Sequence, residues 1–240
     1  MKKVIHKANE RGKGNYGWLN ANYSFSFSNY YHPEKVNFGA LRVLNDDFIA
    51  GGMGFGTHPH DNMEIITIPL QGSLKHRDSM SNKWIVLETG EVQVMSAGSG
   101  LQHAEMNNLP DKELNLFQLW IFPDQENVQP RYDQKKFDEK ERIDKLQLLV
   151  SSINDTTSNV LKIHQNAKIS RITLHNLNEF RYQLMSKNNG VYSMVVDGEV
   201  LVEDELLTKR DAVGIYDTNE IVLKSEGISD ILFIEVPMQF

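Results

Sequence analysis

The residues of this chain best suited to chemistry are the histidines and carboxylates of two short stretches, GTHPHDNME at 56–64 and LQHAEMN at 101–107. In the first, His58 and His60 stand two apart and Glu64 follows. In the second, His103 and Glu105 repeat the spacing. Residues i and i+2 of a strand share a face, so each pair projects two donors side by side. Pro59 points away and lacks an N–H, which suits a strand start or an edge. On adjacent strands of a barrel, the two pairs would bring three imidazoles and one carboxylate to one interior point. That is a mixed N/O metal site with room for open coordination positions. Glu64 lies on the strand face of the two histidines if that strand runs straight, so spacing alone leaves two carboxylates in play. A single His-x-His also suits a polar strand face or a solvated loop. The second pair, and the glycines around both, favour a metal. His76 follows the Gly72 turn as a polar strand residue, His32 precedes Pro33 in a loop, and His164 and His175 stand alone as surface or satisfied histidines.

The elements that must position these donors read as strands. NYSFSFS at 22–28 alternates ring and hydroxyl at period two. GALRVLNDD (39–47), EIITIPLQGSL (64–74), KWIVLETGEVQVMSAGSG (83–100, two strands around Thr89-Gly90) and LNLFQLWIFP (114–123) continue the pattern. From Asp124 to Lys145 the chain becomes highly charged. This stretch reads as a connection between two halves, with a short exposed helix over Asp133–Ile143. Strand-like runs then return: VLKIHQ, KISRITL, VYSMVVDGEVLVE, AVGIYD, EIVLKS and ILFIEVP. Many short strands at close spacing imply an all-β chain of sandwiches or barrels. Residues 1–130 are expected to form the metal-binding barrel and 131–240 a second, metal-free one. PLQGSL…ETGEVQVM and VVDGEVL…KRDAVGIY suggest a loose repeat without a strict period. No His-x-His or His-x-Glu occurs after residue 124.

The composition excludes several functions. Of 240 residues, 40 % are hydrophobic and 24 % charged, an ordinary globular balance. A net charge of −7 argues against general affinity for nucleic acid. There is no cysteine, so disulfides and Cys-ligated metals are out. The N-terminal MKKVIHKANERGKGNYG has no apolar segment behind its lysines, and no run approaches the roughly 18 apolar residues of a membrane helix. A cytoplasmic protein is expected. Met53, Phe55, Met63, Met95, Leu116, Phe117 and Trp120 supply either core or the wall of a pocket over the metal. The GSG at 98–100 is a turn, since no helix with a phosphate-binding Lys follows.

Gly54, His58-x-His60, Glu64 and Gly72 resemble the first motif of the cupin superfamily. Gly90, the SAG at 96–98, His103 and Asn107 resemble the second. The wording of GTHPHDNMEI, MSAGSGLQHAEMN, LFQLWIFP, QPRYDQ and RGKGNYGWLNANYSFSFSNYYHP is similar to the pirin family, in particular to bacterial pirins described as quercetin 2,3-dioxygenases. The resemblance covers about residues 8–135. It implies a bicupin, two antiparallel β-barrels packed face to face, with the metal in the first. It implies His58, His60, His103 and Glu105 as ligands, leaving Glu64 as a neighbour hydrogen-bonded near them. It favours one Fe(II) per chain, with Cu, Zn, Mn, Ni and Co as alternatives. The activity implied is cleavage of a flavonol such as quercetin by O2 with loss of carbon monoxide. The metal would polarise the substrate hydroxyl, and Glu105, or Glu64 if it reaches, would accept its proton. The other reading is a non-enzymatic iron-binding regulator that contacts a transcription factor or a metabolic enzyme. A monomer is expected.

Overall fold

The computed structural model describes residues 1–175, 179–225 and 227–240. Among them the regular structure is all strand apart from two short 3-10 segments, Ala8–Glu10 and Glu139–Arg142. Among the described residues no helix is long and apolar enough to cross a membrane.

Four sheets form two pairs. In the first pair, a seven-stranded sheet runs in the order Arg131–Lys136, Glu91–Ser96, Glu64–Gln71, Leu114–Ile121, Leu41–Ile49, Leu19–Tyr23, Gly12–Asn15. A four-stranded sheet runs Gly54–His60, Leu101–Asn107, Ser73–Asp78, Ile85–Glu88. The second pair repeats the plan. Its seven strands are Lys2–His6, Ala212–Tyr216, Asn189–Asp197, Ser229–Pro237, Lys168–Leu174, Gln147–Ser152 and Leu161–Ile163. Its four are Phe180–Gln183, Glu220–Lys224, Glu199–Val202 and Glu205–Thr208. Pairing is antiparallel except between Gln147–Ser152 and Leu161–Ile163. The repeat glimpsed in the sequence is therefore topological. Gly72 (φ +88°) and Gly198 (φ +84°) sit where a strand of a seven-stranded sheet turns into one of a four-stranded sheet. Both φ values lie in the left-handed region open to glycine.

The two seven-stranded sheets share one apolar core. Leu44, Ile66, Ile68, Val94, Phe117 and Leu119 from the first half pack with Val150, Ile169, Tyr192, Met194, Leu232 and Ile234 from the second. Each of these strands shows one face to this shared core and the other to its own barrel, so its side chains alternate between two interiors.

Strand pairing corrects three expectations. Residues Asp133–Lys136 are not helical; they lie in Arg131–Lys136, an edge strand bonded to Glu91–Ser96. Only one 3-10 turn, Glu139–Arg142, remains of the expected helix, with the Asp138 carboxylate accepting from the Lys140 N–H. A charged, alternating segment suits an edge strand, because it satisfies the sheet while repelling further pairing. A boundary between residues 130 and 131 would cut this strand from the first sheet pair, so that pair extends to residue 136. Conversely, Lys2–His6 bonds to Ala212–Tyr216 and belongs to the second pair. The strand expected at 22–28 stops at Tyr23. Beyond it the Ser26 N–H turns to the Lys35 carbonyl and Ser28 takes φ +51°.

His6 ends the crossing strand, buried 5.6 Å from the Phe25 ring with Nδ1 2.8 Å from the Tyr192 hydroxyl. Burial, then Lys35 and Arg11, lowers its pKa to about 4. The unfolded chain binds this proton near pH 6.5 and the folded chain only near 4, so stability is lost as pH falls through that window. His6→Asn is expected to flatten that part of the acid limb, read as the difference between urea midpoints of variant and wild type from pH 7 to 4.

Gly54 starts the strand that carries His58 and His60. A Cβ there would lie 2.2 Å from the Glu105 carbonyl oxygen and 2.5 Å from Met106 Cα. Gly54→Ala should force the two donor-bearing strands apart, at a cost of about 1–3 kcal/mol by thermal unfolding, with loss of metal binding beyond the stability loss.

Candidate metal centre

The four-stranded sheet of the first half brings the two donor pairs together. Gly54–His60 runs antiparallel to Leu101–Asn107 with His58 opposite His103 and Phe55 opposite Glu105; a bulge falls between His103 and Glu105. On the other side Ser73–Asp78 pairs with the same strand, His76 opposite Glu105 and Asp78 opposite His103. The bulge adjusts where the second pair points.

His58, His60 and His103 converge, each offering one nitrogen within 4.8 Å of the others. Ring centroids are 4.4 Å (His58–His103), 4.7 Å (His60–His103) and 4.9 Å (His58–His60) apart. His58 Nε2 and His103 Nε2 face each other at 2.9 Å. His58 Nδ1 lies 2.8 Å from the Gly56 carbonyl oxygen. A carbonyl only accepts, so Nδ1 carries the hydrogen and Nε2 the lone pair. Two cis nitrogens at metal–nitrogen distances of about 2.1 Å stand about 3.0 Å apart, so the observed spacing fits two ligands of one ion. Burial, then His103 and His58, holds the pKa of His60 down at about 4. Burial, then His58 and His76, holds His103 at about 3. Both are neutral at pH 7, the ligating form.

Glu105 is buried beside this cluster and lines the same pocket as His58 and His60. Gln118 Nε2 donates to its Oε2 at 2.8 Å and Thr67 Oγ1 to its Oε1 at 3.5 Å. These two donors come from the seven-stranded sheet opposite, so the carboxylate is oriented from across the barrel. Three imidazoles and a carboxylate suit Fe(II), Ni(II), Zn(II) and their neighbours.

Glu64 is not brought to this point. It is buried on the face of its strand that carries Ile66 and Ile68, while Thr67 faces Glu105. Ser96 Oγ donates to its Oε2 at 2.7 Å, and the His164 backbone bonds it from the second half. Burial raises its pKa to about 7 against these bonds. The physical reason is parity: the turn at Asp61–Met63 separates Glu64 from the histidine strand, so their faces need not agree.

The sequence reading missed His76. Its ring is fully buried, stacked on Tyr132 at 4.8 Å, with Nε2 3.2 Å from Asp78 Oδ2 and its centroid 5.3 Å from His103. With His103 and Glu105 it makes a second, wholly buried donor group. The alternation in SLKHRD, Leu74, His76 and Asp78 buried between half-buried Lys75 and Arg77, is the signal that points it inward.

Beside the cluster lies a pocket of about 340 Å³, within the size range of small-molecule sites. Trp18, Tyr23, Phe27, Phe55 and Trp120 line it together with Asn45, Asp47 and Gln118. Of the apolar residues flagged in the sequence, Phe55 and Trp120 reach it, whereas Phe117 joins the core between the halves and Met95 packs with Ile65.

A barrel with histidines of two strands converging beside an apolar pocket is a cupin-type arrangement. The comparisons place the chain more closely: residues 4–121 match the profile of the Pirin family, and residues 148–236 that of the Quercetinase C-terminal cupin domain. The quercetin 2,3-dioxygenase of Escherichia coli is 40 % identical over 233 residues, 97 % of this chain and 98 % of that protein. A pirin-like protein of Caulobacter vibrioides is 38 % identical, covering 93 % of this chain and 95 % of its own. The crystal structure of the bacterial pirin YhhW from Escherichia coli in complex with nickel(II) superposes with a TM-score of 0.91 at 37 % identity, covering 98 % of this chain and 99 % of that one. The chain belongs to the pirin family, and its fold is the two-barrel fold of that family.

Wild-type protein loaded with nickel and desalted is expected to hold one ion per chain by elemental analysis. His58→Ala and His103→Ala should each weaken binding by more than about 100-fold, the upper range for losing a mere supporting hydrogen bond, with little change in melting temperature of the metal-free protein.

Proposed function

We propose that the protein is a metal-dependent dioxygenase that cleaves a flavonol such as quercetin with O2, using Fe(II) held by His58, His60, His103 and Glu105. The observation that carries this reading is the pocket: its aromatic walls meet the candidate ligands directly, so a flat ring system bound there presents its hydroxyl to the donor cluster. An iron-binding regulator without turnover calls for a shut metal site, and the half-buried His58 and His60 instead border an open cleft.

The bound metal supplies Lewis-acid polarisation of the substrate hydroxyl. The chain supplies the rest. Trp18, Phe55 and Trp120 bury the faces of the rings and keep water from them. Trp120 is itself anchored, its Nε1–H donating to Gln118 Oε1 at 3.2 Å, and Gln118 in turn donates to Glu105. Glu105 accepts the proton of the enol hydroxyl, and the resulting electron-rich enolate is the species that reacts with O2. The overall reaction consumes one O2 and releases carbon monoxide with ring opening. The quercetin 2,3-dioxygenase name of the Escherichia coli relative supports the choice of substrate class.

Iron-loaded wild type in air is expected to release carbon monoxide from quercetin, measured in the headspace. His58→Ala should release none. Glu105→Gln should fall at least about 100-fold in kcat, in line with removal of a general base. No carbon monoxide from wild type shown to hold one iron per chain would remove flavonol cleavage as the function.

A further inference from the structure

One wall of the pocket carries polar groups that the proposed chemistry leaves unused. The strand Leu41–Ile49 turns alternate side chains to its two faces. Asp46 points to the core between the halves, where Arg210 Nε lies 2.9 Å and Arg11 Nη1 3.7 Å from its Oδ2. Its neighbours Asn45 and Asp47 line the pocket, 2 % and 4 % exposed. Asn45 Oδ1 and Asp47 Oδ1 have no hydrogen-bond partner among the described residues. The nearest polar side chain of the same wall is already committed, since Gln118 bonds Glu105 and Trp120. Among the described residues no cation is paired with Asp47, while Arg210 and Arg11 both serve Asp46. Burial, then Asp46 and Glu105, raises its pKa to about 8, so at neutral pH it holds a proton and offers a donor and an acceptor together.

Two buried, unpartnered acceptors in an otherwise aromatic pocket cost stability unless an occupant pairs with them. We propose that Asn45 and Asp47 are specificity residues that select an occupant presenting O–H donors to this wall, a hydroxylated aromatic ring over a bare one. The ring's identity as part of a flavonol rests on the function proposed above; the demand for O–H donors rests on this wall alone. A vicinal diol suits it best, since a protonated Asp47 both accepts from one hydroxyl and donates to the next.

The test is binding to nickel-loaded protein under argon, followed by tryptophan fluorescence. Quercetin is compared with galangin, the same flavonol without hydroxyls on its pendant ring. Catechol is compared with its dimethyl ether, which keeps the shape and loses the donors. Wild type should prefer the hydroxylated member of a pair by at least about tenfold, as expected of a site built to pair with a hydroxyl. Asn45→Leu and Asp47→Leu should bring the ratio to within about twofold, while Asp47→Asn, which keeps a donor and an acceptor, should retain most of it. Equal melting temperatures and nickel contents exclude a collapsed pocket. A wild type without preference, or leucine variants that keep it, would overturn the assignment. If neither flavonol binds, the proposed function falls, and the catechol pair decides this inference on its own.

Discussion

The candidate site depends on the register between Gly54–His60 and Leu101–Asn107. His58 stands opposite His103, and a slip of Gly54–His60 by one residue would turn His58 and His60 away from the interior. Gly54 holds that register closely, because its missing Cβ lets the strand lie against the backbone of Glu105 and Met106. The third strand, Ser73–Asp78, then sets His76 opposite Glu105 without any further device. Four imidazoles and the Glu105 carboxylate are thus brought to one face by strand register, and Gln118 and Thr67 complete the orientation of the carboxylate.

The seven-stranded sheet of the first half serves two interiors at once, and adjacent residues take opposite electrostatic roles. Asp46 meets two arginines as a clasp between the halves; Asp47, one residue on, meets no cation among the described residues and holds its proton in the pocket. Glu64 and Thr67 divide in the same way, the first bonded to Ser96 and the second half, the second to Glu105. Packing between the halves and the chemistry of the site are therefore coupled through a single layer of backbone.

Much of this was legible in the sequence. The two His-x-His and His-x-Glu pairs, the strand texture and the glycine turns are local patterns, and local patterns survive without coordinates. What was not legible depends on pairing between distant segments. The charged run 131–136 looks like a solvated helix until its edge pairing with Glu91–Ser96 is seen. Lys2–His6 carries no mark of crossing to the second half. Glu64 was misplaced because the intervening turn resets parity, and Asn45 and Asp47 were passed over because an Asn-Asp-Asp run reads as a turn, whereas here it continues a buried strand. His76 was the avoidable miss, for its alternation was visible.

The second half shows what the same plan becomes without donors. By sheet order, Phe180–Gln183 and Glu220–Lys224 take the places of Gly54–His60 and Leu101–Asn107. Their inward residues are Tyr182, Ile221 and Leu223, packed with Val191, Val195 and Phe233 into a filled interior. Tyr182 lies on the Phe233 ring at 4.7 Å, and its hydroxyl donates to Glu235 at 2.9 Å, where Asn189 and the Met185 N–H also converge. The buried Glu235 carboxylate of that barrel is thus fully paired. Among the described residues, both groups of potential metal donors lie in the first half. The contrast is physical: a barrel filled by aliphatic side chains gains its stability from packing, whereas one that leaves a pocket beside three histidines gives up part of that packing. The filled barrel shares a continuous core with the open one, which is how the pair carries a cleft in one member while retaining a well-packed whole.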